Sequence, residues 1–214
     1  EAWQVDELRE EASLSRGRGE DLELLEGDAL AEEFGSPLAI AGLLDETGGV
    51  MLDPARLAWG LADAIEQRGG RISEGAEVHR LRRRGGGLEV DLGGPRLRAK
   101  RALIATSAHS PLSWRNRGRV VPVYDYVLTT EPLSRSQLDA ICWPRRRGVS
   151  DAGNRFHYLR LTADQRILFG GFEAVYRFGQ RVDPRHDEDP AVFDLLEEHF
   201  DAMFPACLLY TSPS

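Results

Sequence analysis

The stretch "RALIATSAHSPL", residues 101–112, decides how this chain is read. Ala102, Leu103, Ile104 and Ala105 form a short apolar run without polar alternation. That pattern predicts a strand buried on both faces of a parallel sheet. The run ends in three small residues, Thr106, Ser107 and Ala108. In open α/β sheets, ligands sit beyond the carboxyl ends of the strands. Small side chains there let a ligand approach the backbone, and free N–H groups can meet a phosphate. The same residues also read as an ordinary turn after a strand.

Upstream of this run lies the clearest helix of the chain. Asp53 can cap it, Pro54 suits its first position, and Gly69-Gly70 ends it. Leu57, Leu61, Ala64 and Ile65 recur at i, i+4, i+7 and i+8, which predicts one buried stripe. Between helix and strand, "RISEGAEVHRLRRR", "GGGLEVDLGG" and "PRLRAKRALIAT" read as short strands separated by glycine turns. Leu88, Val90 and Leu92 alternate with Glu89 and Asp91, as in a strand whose acidic face is wet. The run from Arg80 to Gly87 reads as a solvated turn rather than a phosphate groove. Further upstream, "EAWQVDELREEASL" is helical in character, and "GDALAEEFG" reads as a short helix with Asp28 as a possible cap. "SPLAIAGLLDETGGVML" is apolar and turns at Gly48-Gly49.

Downstream, from about Arg119, the text changes. "RVVPVYDYVLTTEPL" is long, β-branched and aromatic, and Tyr124 and Tyr126 read as packing residues. Ser134 with Gln137 matches a capping box ahead of "SQLDAIC". "RGVSD", "RFHYLRLT" and "RILFGGF" read as strands, with a turn at Ala163-Asp164-Gln165. Asp189-Pro190 opens a last helix through Phe193, Leu196 and Phe200 to Phe204. This half is expected to be an antiparallel sheet with helices, a separate α+β lobe.

Composition excludes several classes of function. The 35 acidic residues outnumber 27 basic ones, a formal charge of −8, which argues against nucleic acid as a partner. No apolar run approaches the roughly 20 residues that cross a bilayer, so no membrane partner is expected. Cys142 and Cys207 make no disulfide framework and favour a reducing compartment, so a cytoplasmic location is expected. The five histidines are scattered, and no His, Cys, Asp or Glu cluster has metal-ligand spacing.

The chain begins without Met inside a helical pattern, and its end, "CLLYTSPS", continues neither the pattern nor the composition before it. Back-translated, Cys207 to Ser212 can be written TGTCTCTTATACACATCT, which resembles the mosaic-end adaptor of transposon-based sequencing libraries. Residues 207–214 are therefore expected to be an adaptor-derived tail, and the chain to be the middle of a longer protein.

Four blocks in order carry a family resemblance. They are "GGVMLDPARLAWGLADAIEQRGGRISEGAEVHRL", "RALIATSAHSPL", "PVYDYVLTTEPL" and "DAGNRFHYLRLTADQRILFGG", within about residues 48–180. Together they resemble the middle of the DAO-type FAD-dependent oxidoreductases, the group of glycine oxidase, sarcosine oxidase and γ-glutamylputrescine oxidoreductase. The resemblance implies an α/β plus α+β fold: an incomplete Rossmann-like FAD-binding domain over residues 1–118, its first βαβ unit missing, and an antiparallel-sheet substrate lobe over 119–206. It implies FAD as cofactor and a small-molecule amine or amino acid as substrate, oxidised by hydride transfer. Neither the electron acceptor nor an oligomeric state is assigned.

Carried over by position, Val78 would meet the adenine end of FAD, and Ala105, Thr106 and Ser107 would line its pyrophosphate or ribose. Val78 also reads as a plain core valine. On "FHYLRL", Phe156, Tyr158 and Arg160 share one face and His157, Leu159 and Leu161 the other. The family's substrate sheet lies over the flavin, so Tyr158 and Arg160 would hold a substrate carboxylate, Arg160 in bidentate fashion. Arg160 reads equally as a salt-bridge residue, and His157 as structural. The sequence departs from the family in having no G-x-G-x-x-G motif. This departure implies that the chain alone neither holds FAD tightly nor turns over substrate. The alternatives are a hydroxy-acid dehydrogenase of the same architecture and a non-catalytic α/β binding module.

Overall fold

The computed structural model describes residues 2–18, 22–46, 48–109, 112, 119–179 and 182–207. Its elements run α1 (Ala2–Arg18), β1 (Leu22–Glu26), α2 (Gly27–Glu33), β2 (Ala41–Asp45), α3 (Pro54–Gln67), β3 (Arg80–Arg84), β4 (Gly87–Asp91), β5 (Arg96–Ala99), β6 (Val127–Thr129), α4 (Arg135–Ile141), β7 (Val149–Ser150), β8 (His157–Leu161), β9 (Ile167–Gly171) and α5 (Pro190–Met203). They form two compact units. One gathers residues 1–51, 124–175 and 185–214; the other holds 52–123 and 176–184. The expected division at 118/119 differs from this, because residues 1–51 pack with the second half of the chain. Of the expected tail, Cys207 is 2% exposed in the core, and residues 208–214 lie outside the described residues.

The first unit is built on a four-stranded antiparallel sheet in the order β6-β9-β8-β7. Its core lies on one face, where α5 packs. Pro190 opens α5, and Val192, Leu196 and Phe200, four residues apart, are its buried positions. Phe200 meets Phe169 of β9 edge-on at 5.6 Å and Phe204 at 5.2 Å. From β8, Leu159 and Leu161 enter this core, as the period of two requires. Tyr126 is buried beside Phe193, and its hydroxyl donates to the His186 carbonyl at 2.7 Å. The Ser134–Gln137 capping box forms and starts α4. In the same unit β1 pairs antiparallel with β2, and α1 packs on both strands. Residue 26, not Asp28, caps α2; Asp28 sits in its first turn. Both cysteines are thiols, Cys142 exposed and Cys207 buried.

The second unit holds α3 and an antiparallel meander, β3-β4-β5. Asp53 caps α3 as its sequence demands, accepting from the Ala55 and Arg56 N–H groups at 3.0 and 3.1 Å. The apolar stripe of α3 is not buried, however: Leu57, Leu61 and Ile65 are each about half exposed. In β4 the burial also departs from the expected pattern at Glu89. Glu89 is 8% exposed, held by Arg84 at 2.6 Å and Arg96 at 3.8 Å. Arg82 and Arg98 flank it in register, so long arginine stems cover the carboxylate.

The expected parallel strand at 102–105 does not form. These residues pair with no strand, and Leu103 is 93% exposed. Every strand pairing among the described residues is antiparallel. A doubly buried strand needs a neighbour on each edge and a layer on each face. The described residues supply residues 102–105 with no paired neighbour. No helix of the described residues is long and apolar enough to cross a membrane.

Candidate functional site

The outer face of the four-stranded sheet, opposite α5, gathers the polar groups. On β8, Tyr158 and Arg160 are half-buried on this face while their neighbours are buried on the other. They lie two residues apart, about 7 Å along the strand. In register, Tyr158 faces Gly170 of β9, and Gly170 faces Val127 of β6. Gly170 therefore leaves a gap between two larger residues. The Tyr158 ring crosses it, and its hydroxyl donates to Asp125 Oδ2 at 2.6 Å. A Cβ at position 170 would stand 2.7 Å from Val127 Cγ2 and 3.0 Å from the Tyr158 oxygen. Only glycine admits the crossing.

Burial pushes the Tyr158 hydroxyl well above the usual tyrosine range, and the hydrogen bond and charge of Asp125 push it further. The phenol is therefore neutral at physiological pH. It is oriented, with its proton committed to Asp125 and its oxygen lone pairs left to accept. Arg160 supplies a permanent cation on the same face. This combination suits a small substrate with an anionic group and a hydrogen-bond donor.

The residues expected at the cofactor lie in the other unit. Ala105 and Ser107 are exposed and Thr106 is half-buried. Ala105 leads into a tight turn over Thr106–His109, in which the His109 N–H donates to the Thr106 carbonyl at 3.0 Å. Ser107 adopts a φ of 49°, the left-handed region. Small side chains leave this backbone open to a ligand, as a nucleotide requires. Val78 is half-buried in the extended segment just before β3, where the His79 N–H donates to the Asp91 carbonyl at 2.9 Å. Tyr158 and Arg160 are thus brought together, as are residues 105–107, each set within its own unit.

Asp125 and Gly170 did not emerge from the sequence as site residues. Asp125 is the polar residue between two tyrosines, which places it on the face opposite their packing side. Its partner lies 33 residues away and depends on strand register. Among the described residues, no group of three or more His, Cys, Asp or Glu side chains is placed to hold a metal ion.

Similarity to known proteins identifies the family. The chain is 34% identical over 152 residues to the gamma-glutamylputrescine oxidoreductase of Escherichia coli (strain K12), which covers 70% of this chain and 35% of that protein. It is 28% identical over 158 residues to a probable oxidoreductase OrdL of Haemophilus influenzae, covering 71% of this chain and 36% of that one. The chain thus spans about a third of the length of these curated relatives. The crystal structure of glycine oxidase from Geobacillus kaustophilus superposes with a TM-score of 0.70 at 20% identity, over 99% of this chain and 55% of that one, and so shares its fold. The DAO family model, FAD dependent oxidoreductase, matches residues 2–212, and the chain belongs to that FAD-dependent family.

Proposed function

We propose that this chain is part of an FAD-dependent enzyme that oxidises a primary or secondary amine, or an amino acid. The observation that carries this reading is the outer sheet face, where Tyr158, tethered by Asp125 across Gly170, stands beside Arg160. Arg160 binds the substrate carboxylate with two parallel N–H donors. The Tyr158 oxygen, its own proton held by Asp125, accepts from the substrate nitrogen and orients the adjacent C–H. Ala105, Thr106 and Ser107, with their open backbone entering the turn, would hold the diphosphate and ribose of FAD, and Val78 would meet the adenine. FAD, when bound, supplies the acceptor for the hydride of that C–H. No general base is required from these residues when the amine binds neutral.

The same reading accounts for the apolar surface of the second unit. Leu103 and the α3 stripe are covered, in the complete enzyme, by further strands and a glycine-rich βαβ unit of a Rossmann-like domain. The 214-residue chain alone is then inactive, since it contains no G-x-G-x-x-G loop. The relative named for γ-glutamylputrescine oxidation supports an amine as the reacting group.

The test is oxygen-dependent turnover by the complete protein that contains this segment, supplied with amines, amino acids and 2-hydroxy acids. Peroxide with ammonia or aldehyde from amino compounds is the expected result, with Arg160→Lys raising KM for carboxylate-bearing substrates. Turnover of hydroxy acids alone would replace the amine reading with the dehydrogenase one. A complete protein that binds no flavin would leave only a binding module.

A further inference from the structure

The opposite face of β8 borders a second site. His157 and Leu159, which point away from Tyr158 and Arg160, help to wall a cavity of about 610 Å³ within the first unit. Much of its lining is apolar: Leu25, Leu30, Phe34, Trp143 and Leu159 are all buried beside it. Arg147, just before β7, lines it too. The Arg147 Nε–H is buried yet has no hydrogen-bond partner among the described residues. Glu33 Oε2 lies 3.7 Å from that nitrogen, outside hydrogen-bond reach, while Arg147 Nη2 donates to Glu46 at 2.7 Å. Folded proteins seldom leave a buried N–H unmet, because taking it out of water without a new partner costs stability. A guanidinium stays protonated throughout the physiological range, so this donor is permanent.

The neighbouring groups narrow the guest. Glu33 and Glu46 each pair with Arg145 as well, at 3.1 and 3.3 Å. A carboxylate guest at Arg147 Nε would therefore come up against two carboxylates already in place. The other carboxylate on the lining, Asp151, is already engaged three times. Its Oδ2 accepts from the His157 N–H at 3.1 Å and lies 2.6 Å from His157 Nδ1, and its Oδ1 accepts from the Gly153 N–H at 3.1 Å. A guest cation would find little of its lone-pair capacity left. His157 Nε2 in turn lies 2.9 Å from Nδ1 of His199 on α5. Asp151 and the two imidazoles thus satisfy one another, whichever ring carries the proton between them. The donor still to be met is Arg147 Nε–H, and recognition there draws on neither imidazole.

We propose that this cavity binds a neutral, mainly apolar carbonyl compound of the aryl ketone type, whose oxygen accepts from Nε–H of Arg147 while its apolar part rests against the apolar walls. Such a guest brings an acceptor without a net charge and without a donor of its own. The hydrogen bond has a charged partner and lies out of water, which places it among the stronger ones. The volume lies within the range of small-molecule sites, about 300–1,000 Å³. This site is separate from the Tyr158–Arg160 face and does not depend on the function proposed for it.

The test uses the full 214-residue chain, ¹⁵N-labelled at arginine, with acetophenone and α-methylstyrene as probes. These match in shape, the carbonyl of one being a C=CH₂ group in the other. Saturable binding of acetophenone is expected, with one arginine Nε–H resonance moving as it donates to the ketone. α-Methylstyrene should move none. Arg147→Lys keeps the charge that Glu33 and Glu46 share but has no Nε–H, so that resonance should vanish. The variant should bind acetophenone about tenfold more weakly and α-methylstyrene as before. No saturable binding of acetophenone up to its solubility, or stationary arginine resonances at saturation, would overturn the proposal. So would an equal loss of both probes in Arg147→Lys, or acetophenone affinity that survives in it. Should that variant not fold, the wild-type resonances decide alone: one moved by the ketone and none by the hydrocarbon supports the site, and any other pattern rejects it.

Discussion

The hydroxyl of Tyr158 donates to Asp125 across the bare backbone of Gly170 at 2.6 Å, joining β8 to the segment that leads into β6 over the strand between them. Burial and Asp125 raise the phenol's ionisation above the usual range. A raised folded value contributes stability that is complete below the unfolded value of about 10 and is lost as pH climbs through the folded one. In an alkaline absorbance titration, Tyr158 should therefore ionise above the usual tyrosine range. Asp125→Asn should bring it down. Ionisation of Tyr158 within the usual range would mean that the bond is absent in solution.

Gly170→Ala should destabilise the first unit. The new Cβ would stand 2.7 Å from Val127 Cγ2 and 2.9 Å from the Tyr126 carbonyl oxygen, and the latter is backbone that cannot swing aside. Overpacking of this kind costs about 1–3 kcal/mol. Urea denaturation measures it, and an unchanged midpoint would show that β6 yields freely.

Phe200→Ala is expected to be more severe. Phe200 is 0% exposed between Phe169 and Phe204. Removing such a ring leaves a cavity and costs about 3–5 kcal/mol. Calorimetry on the variant should show the first unit melting far lower, or already unfolded.

Acid should weaken the first unit in two stages. Burial and the adjacent His157 depress His199, and hydrogen bonds depress Asp151 despite its burial. A depressed folded value contributes stability above the unfolded value that is lost as pH falls through the folded one. The His199 contribution therefore declines below about pH 6.5 and that of Asp151 below about pH 3.9. His199→Gln should remove the first stage alone in denaturation curves taken across this span.

In the second unit, Glu89→Gln should cost about 1 kcal/mol. The substitution strips the charge that Arg84 and Arg96 share and leaves Arg82 and Arg98 beside them. Added salt should reduce the loss, because the exposed guanidinium groups repel one another through solvent. A loss that ignores salt would point to packing instead.

Much of the local structure was legible before any coordinates. Asp53 and Pro54 announce α3 because a carboxylate satisfies the first free N–H groups and proline needs none. Ser134 and Gln137 announce α4 for the same reason. The alternation in "FHYLRL" assigned Tyr158 and Arg160 to one face correctly, since successive residues of a strand must point oppositely. The apolar run at 102–105 predicts a paired strand that does not form, and β4 predicts a wet acidic face where Glu89 is buried. Both readings assumed which neighbours a strand would meet.

The sequence by itself determined where helices begin, where turns fall and which side chains share a strand face, because those depend on hydrogen bonds and periods spanning a few residues. Only the tertiary structure decided that residues 1–51 join the second half, that arginines bury Glu89, that Tyr158 reaches Asp125 and that His157 meets His199. These partners lie from five to more than a hundred residues apart in the chain, and sheet register and helix docking bring them together. No local pattern encodes the choice of neighbour, since burial is a property of what packs against a residue.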